Sequence, residues 1–130
     1  MDQKGKYLVK LEDGRNEPIK GLQNALRIVL VDKDTVGAED ITFLYFKLEA
    51  KVLPEKKHVH RNAEEVMYTL SGKGIACVGQ QEFEVVKGDT VWVPRGEVHR
   101  VANPSDEPLE MIVIYTCPSL QSAGGYEIVE

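Results

Sequence analysis

Short apolar runs alternate with polar breaks marked by glycine or proline, and no stretch carries the 3.6-residue period of an amphipathic helix. Residues 25–31, 41–48, 66–70, 75–78, 81–86, 90–93 and 109–115 have the length and the β-branched and aromatic content of strands. Residues 50–53 extend the second of these runs, and His99 opens a further strand. The breaks are of the turn-forming kind: Gly37 in the charged stretch 32–40, Pro54, Gly72-Lys73-Gly74, Gly79-Gln80, Gly88-Asp89, Pro94-Arg95-Gly96 and the polar segment 103–108. Many short strands, regular turns and no helix predict an all-β sandwich or barrel.

Pattern also sets the organisation. The predicted unit is a single domain over 1–130, with an amino-terminal arm (1–24), a barrel core (25–117) and a carboxy-terminal tail (118–130). In the arm, 6–11 reads as a short strand followed by a turn at 12–16, adding to a sheet edge of this chain or of a neighbouring subunit. In the tail, 126–129 reads as a small strand or lid. Runs 41–48 and 66–70 are apolar at both odd and even positions, as in strands covered on both faces. One face belongs to the core, and the other predicts a second sheet or a homodimer.

Composition narrows the partners. Twenty-one acidic against sixteen basic residues, a net charge of −5, argue against nucleic acid as the main partner. No apolar stretch reaches membrane-spanning length and the amino terminus is polar, so no membrane partner and a cytoplasmic location are expected. Cys77 and Cys117, distant and within apolar strands, read as buried thiols and lack metal-ligand spacing.

The chemistry concentrates in two stretches. All three histidines lie in 58–72 and 88–103: His58, His60 and His99. On a strand His58 and His60 share a face, and Val59 takes the other. Glu65 opens the run 66–70 and shares a face with Met67 and Thr69, which places its neighbour Glu64 in the preceding loop. Two turns bring His99 back towards the first stretch. Three imidazoles and a carboxylate suit one divalent first-row transition metal per chain, with Mn, Fe, Ni, Co, Cu and Zn all admissible.

These stretches resemble the two sequence motifs of the cupins. The first motif, Gly, five residues, His-x-His, three or four residues, Glu, six residues, Gly, is met by His58, His60, Glu65 and Gly72, with Val52 in place of the opening glycine. The second, Gly, five residues, Pro-x-Gly, two residues, His, three residues, Asn, is met by Gly88, Pro94, Gly96, His99 and Asn103. The fifteen residues 73–87 between them match the short spacer of small bacterial and archaeal cupins. The resemblance implies a double-stranded β-helix, or jelly-roll barrel, with His58, His60, Glu65 and His99 as metal ligands. The implied activity is a metal-dependent enzyme on a small oxygenated, anionic and chelating substrate, dioxygenase- or decarboxylase-like. The alternatives are an isomerase or lyase, or a non-catalytic binder of metal or small molecules, because one fold hosts many functions.

Around such a site, Tyr45, Tyr68 and Tyr115 are strand tyrosines that offer a proton, each weighed against an ordinary core or interface role. Arg27 is a cation inside an apolar run, and binding an anionic substrate, pairing with a carboxylate and facing water all account for it. Met67 and Val101 are expected to line the pocket. Lys56, Lys57, Arg61, Arg95 and Arg100 flank the ligands in sequence, as a basic rim or as solvated loop charge. Strand alternation does not settle the face of Trp92, which lies between two valines.

Overall fold

The computed structural model describes residues 7–19, 21–124 and 127–129. Its strands are β1 (Arg15–Asn16), β2 (Ala25–Val31), β3 (Thr42–Leu48), β4 (Lys57–Val59), β5 (Glu65–Ser71), β6 (Lys73–Val78), β7 (Gln81–Val86), β8 (Thr90–Val93), β9 (His99–Ala102), β10 (Leu109–Tyr115) and β11 (Glu127–Val129). All pairings are antiparallel. One sheet runs β1-β2-β3-β10-β5-β8 and the other β11-β4-β9-β6-β7, the two-sheet jelly roll of a cupin. Among the described residues no helix is long and apolar enough to cross a membrane.

Alternation builds the core. On β10, Leu109, Met111, Val113 and Tyr115 are buried, and Glu110, Ile112 and Ile114 turn to the outer face. On β5, Glu65, Met67 and Thr69 point in and Tyr68 and Leu70 point out. Leu44 and Leu48 of β3 join the first set, and Ala76 and Val85 meet it from the other sheet. Among the buried polar side chains are His60, Glu65 and His99, which meet at one place.

Two strand expectations need correction. Of the strand predicted at 6–11, Lys6 lies outside the described residues. Tyr7–10 is irregular and Leu11–Asp13 is a turn of 3-10 helix. Tyr7, Leu8 and Leu11 have no sheet to cover them within the chain. The strand falls instead at Arg15–Asn16, where a turn was predicted, because close approach and an ion pair decide there. A Cβ on Gly14 would stand 2.3 Å from Ile28 Cγ2, so only glycine lets the chain come up to β2. The second correction concerns 50–53, which forms no strand. β3 stops at Leu48, Lys51 adopts φ 63°, and Val52 makes a single bridge to Asn103.

The Arg15 guanidinium donates to the fully buried Asp32 carboxylate at 2.7 Å. Asp32 also accepts from the backbone N–H groups of Asp34 and Thr35, which closes the turn after β2. Burial acts to raise its pKa, but Arg15 and these amides outweigh burial and hold it below the usual carboxylate value. A carboxylate with a depressed folded pKa stabilises the fold fully above its unfolded pKa of about 4 and loses that contribution as pH falls through the folded value. Asp32→Asn is therefore expected to cost about 1–3 kcal/mol at neutral pH. The gap between wild-type and variant denaturation curves should narrow on acidification below about pH 4.

Candidate metal centre

His58 sits mid-strand in β4 and stands directly opposite His99 of β9 in the antiparallel register. His60 follows β4 by one residue, and Glu65 opens β5 on the opposing sheet, paired with Tyr115 and Val93. One sheet thus contributes three imidazoles and the other a carboxylate. One potential ligand atom from each residue falls within 4.8 Å of all the others, a donor set able to hold a metal ion. The ring centroids of His58 and His99 are 4.1 Å apart, and those of His60 and His99 5.3 Å. His60, Glu65 and His99 are buried, and His58 is partly so.

The turn of the second stretch braces the first. Glu97 N–H donates to Pro94 O, and Gly96, at φ +80°, aims its N–H at the His60 carbonyl at 3.0 Å. That left-handed conformation is costly for a residue with a Cβ. The motif's glycine therefore places His60 rather than merely ending a strand. Asn103, fully buried, donates to the carbonyls of Leu48, Glu49 and Glu107, accepts from Ser105, and so ties the end of β3 to the loop before β10.

His99 Nδ1 lies 3.0 Å from the Glu97 carbonyl. A carbonyl only accepts, so Nδ1 carries the proton and Nε2 faces the site. There it meets Glu65 Oε1 at 2.8 Å. Both atoms are buried, so a neutral His99 protonated at Nδ1 would turn its Nε2 lone pair on a carboxylate oxygen. Only a positive species relieves that contact. A backbone carbonyl fixing one ring nitrogen while the other faces the donor set is also how proteins orient metal-binding histidines.

Burial acts to lower the His99 pKa, but the Glu65 carboxylate and the Glu97 carbonyl outweigh it and leave it raised. His58 goes the other way, to about 2, because burial and then the charges of His99, His60 and Arg27 oppose a second proton there.

A cavity of about 50 Å³ opens beside these residues, room for roughly four waters. Arg27, Met67, Val101 and Tyr115 line it with His58, Glu65 and His99. The Tyr115 ring stands edge-on to His60 at 4.9 Å. The structure does not bring Tyr45 or Tyr68 to this site. Tyr45, on the outer face, donates to Glu110, which also accepts from Ser71, and burial followed by that carboxylate raises the phenol's pKa. Tyr68 is exposed on the same face. Strand parity explains both: odd positions of β3 and even positions of β5 turn away from the core.

Trp92 is also exposed and donates to Glu64, which confirms Glu65 as the inward carboxylate of the pair. Of the predicted basic rim only Arg100 lines the cavity, its guanidinium held by the Glu55 carbonyl at 2.6 Å. Lys57 donates to Gly79 O and Arg61 pairs with Glu127 at the surface. Cys77 and Cys117 are buried free thiols. Ile19 and Leu22, within the segment read as an arm, also line the cavity. Their spacing alone carried no signal for this.

In metal-free protein near pH 6.5, His99 should carry the second imidazole proton while His58 stays neutral. Imidazole ¹⁵N shifts would check this, with Nδ1 of neutral His99 bearing the hydrogen. A neutral His99 with the proton on Nε2 would contradict the geometry.

Residues 45–115 match the model of the Cupin domain family. An uncharacterized protein of Methanocaldococcus jannaschii is 36% identical over 55 residues, covering 42% of this chain and 44% of its own. One from Streptomyces coelicolor is 31% identical over 55 residues, covering 42% and 51%. The chain spans about half the length of these curated relatives. Among solved structures, the polyketide cyclase RemF of Streptomyces resistomycificus superposes with a TM-score of 0.75 at 21% identity, over 96% of this chain and 86% of that one. A predicted oxalate decarboxylase of Thermotoga maritima gives 0.71 at 20% identity, over 85% and 99%. Oxalate decarboxylase of Bacillus subtilis gives 0.69 at 26% identity, over 79% and 28%. The family match takes in both motifs and all four converging side chains, and the chain belongs to the cupin family.

Proposed function

We propose that His58, His60, Glu65 and His99 hold one divalent transition-metal ion and that the chain is a metal-dependent enzyme acting on a small oxygenated anion. The carrying observation is the convergence of three imidazoles and a carboxylate from both sheets, with His99 Nε2 buried at 2.8 Å from Glu65 Oε1. The Mn(II) centres of the Bacillus subtilis oxalate decarboxylase, a relative at 26% identity, support a divalent ion. A bound ion of this kind supplies Lewis acidity, polarising an oxygenated ligand and stabilising negative charge that develops on it.

The chain's own residues supply the rest. One carboxylate and three neutral imidazoles leave a divalent ion with uncompensated positive charge, which favours an anionic ligand. A cavity of about 50 Å³ favours a ligand of a few heavy atoms. Met67, Val101 and Val113 keep its wall apolar, so electrostatic attraction inside it is weakly screened. Tyr115, alone of the three predicted tyrosines on the cavity wall, is the group proposed to hold or deliver a proton there, oriented by its contact with His60.

Protein purified without an affinity tag should hold about one divalent ion per chain, and His60→Ala should lose most of it while the fold persists. Equal metal content in both proteins overturns the ligand assignment. In the metal-loaded protein, Tyr115→Phe should lower turnover of a small 2-oxo or enolic acid by about 10²-fold or more with little change in binding. Binding of such acids with no turnover across a series would favour the non-catalytic binder.

The second proposal is a homodimer. The outer face of the six-stranded sheet leaves Tyr68, Leu70 and Trp92 exposed, while Tyr7, Leu8 and Leu11 project uncovered from the amino-terminal segment. A second copy related by a twofold axis covers both at once. Sedimentation at micromolar concentration should give a dimer, and Trp92→Lys should shift it towards monomer.

A further inference from the structure

Arg27 is 9% exposed, on β2, with its side chain directed into the cavity that His58, Glu65 and His99 line. Its Nε donates to Glu17 O at 2.9 Å and its Nη2 to Pro18 O at 3.4 Å. Among the described residues no carboxylate lies within ion-pair distance of it. A guanidinium carries five N–H donors, and these carbonyls take two of them. Carbonyl oxygens orient the group and leave its charge in place. A buried charge without a counter-charge is costly enough that proteins rarely keep one for packing. An apolar side chain at position 27 would fill the same run of β2 at lower cost.

The segment that holds Arg27 is built into the site. Glu17 N–H donates to Arg27 O at 2.8 Å while Glu17 O accepts from Arg27 Nε, so the two residues lock each other by backbone and side chain. Arg15 anchors the start of the segment on Asp32, and Ile19 and Leu22 then close over the cavity. The cation thus lines the same cavity as His58, Glu65 and His99.

We propose that Arg27 is a specificity-determining residue that binds the carboxylate of a small 2-oxo or 2-hydroxy acid, and that the segment 15–18 pre-orients its guanidinium for that contact. The proposal deepens the reading of the site as a centre for small oxygenated anions. A planar fork matches a planar carboxylate, and a guanidinium fixed on one edge loses little freedom when the other edge is filled. The ligand's second oxygen then falls to the His58, His60, Glu65 and His99 side of the cavity.

The test compares pyruvate with pyruvamide, which is isosteric and uncharged, by calorimetry on metal-free and metal-loaded protein. Metal-free wild type should bind pyruvate at least about tenfold more tightly. Arg27→Met should abolish that preference, and Arg27→Lys should retain part of it, with metal content unchanged in both. A second readout needs no variant fold: in wild type carrying ¹⁵N-guanidino arginine, pyruvate should shift the Arg27 side-chain resonance and pyruvamide should not. A preference that survives Arg27→Met, or an Arg27 resonance indifferent to pyruvate, overturns the proposal. Metal content separates the two readings. An Arg27-dependent preference in a protein that takes up no metal would sink the metal centre and leave this subsite standing. A metal-loaded protein whose selectivity ignores Arg27 would do the reverse.

Discussion

A carboxylate buried among imidazoles dictates much of this structure. Glu65 Oε1 lies 2.8 Å from His99 Nε2 and 3.5 Å from His60 Nε2, within a shell of apolar side chains. Withdrawing such groups from water costs several kcal/mol for each ion unless something of opposite charge joins them. A fold selected for stability alone would fill these inward positions with apolar side chains such as the neighbouring Val59, Val66 and Val98. Retaining four polar side chains at one point means that the barrel is organised to present them, and the neighbouring elements follow from that requirement.

Those elements work by fixing backbone rather than by adding contacts to the site. The Gly96 N–H holds the His60 carbonyl, the Glu97 carbonyl sets the His99 tautomer, and Gly79 N–H reaches Val98 O just before β9 begins. Asn103, at the far end of the same stretch, satisfies three carbonyls where β3 bends away. Two motif residues that are not ligands, Gly96 and Asn103, therefore have mechanical tasks in the backbone around the site. The missing glycine of the first motif fits this account. Val52 makes a single bridge to Asn103, and its side chain packs against the core.

Strand parity made most of this legible before any coordinates. His58, His60, Glu65 and His99 converge as spacing and resemblance implied, and Met67 and Val101 line the cavity as their alternation required. The same rule, applied across strands, would have turned Tyr45 and Tyr68 outward, but it needs one residue of known orientation per strand. Position 65 supplies that for β5, while β3 is apolar on both faces and conceals it. The arm was least legible. Tyr7, Leu8 and Leu11 look like a strand in sequence, whereas the pairing segment is the polar Arg15–Asn16, selected by an ion pair with Asp32 and by a glycine that permits close approach. Both determinants involve residues far apart in the chain, which local pattern cannot express.

That arm changes how the cavity should be understood. Its walls come from both sheets, but its cover, Ile19 and Leu22, and the carbonyls on Arg27 come from the segment between β1 and β2. The donor set and the orientation of the guanidinium thus rest on separate supports: the first on the paired motifs, the second on β2 together with the carbonyls of Glu17 and Pro18, just past an edge strand of two residues. Edge pairing of that length contributes little by itself, so the placement of the Glu17 and Pro18 carbonyls depends on the Arg15–Asp32 ion pair, whose carboxylate is wholly buried. On the role proposed for Arg27, a change in the arm alters anion preference without disturbing the four converging side chains. In a fold shared by many chemistries, such a division lets substrate preference vary while the central donor set stays fixed.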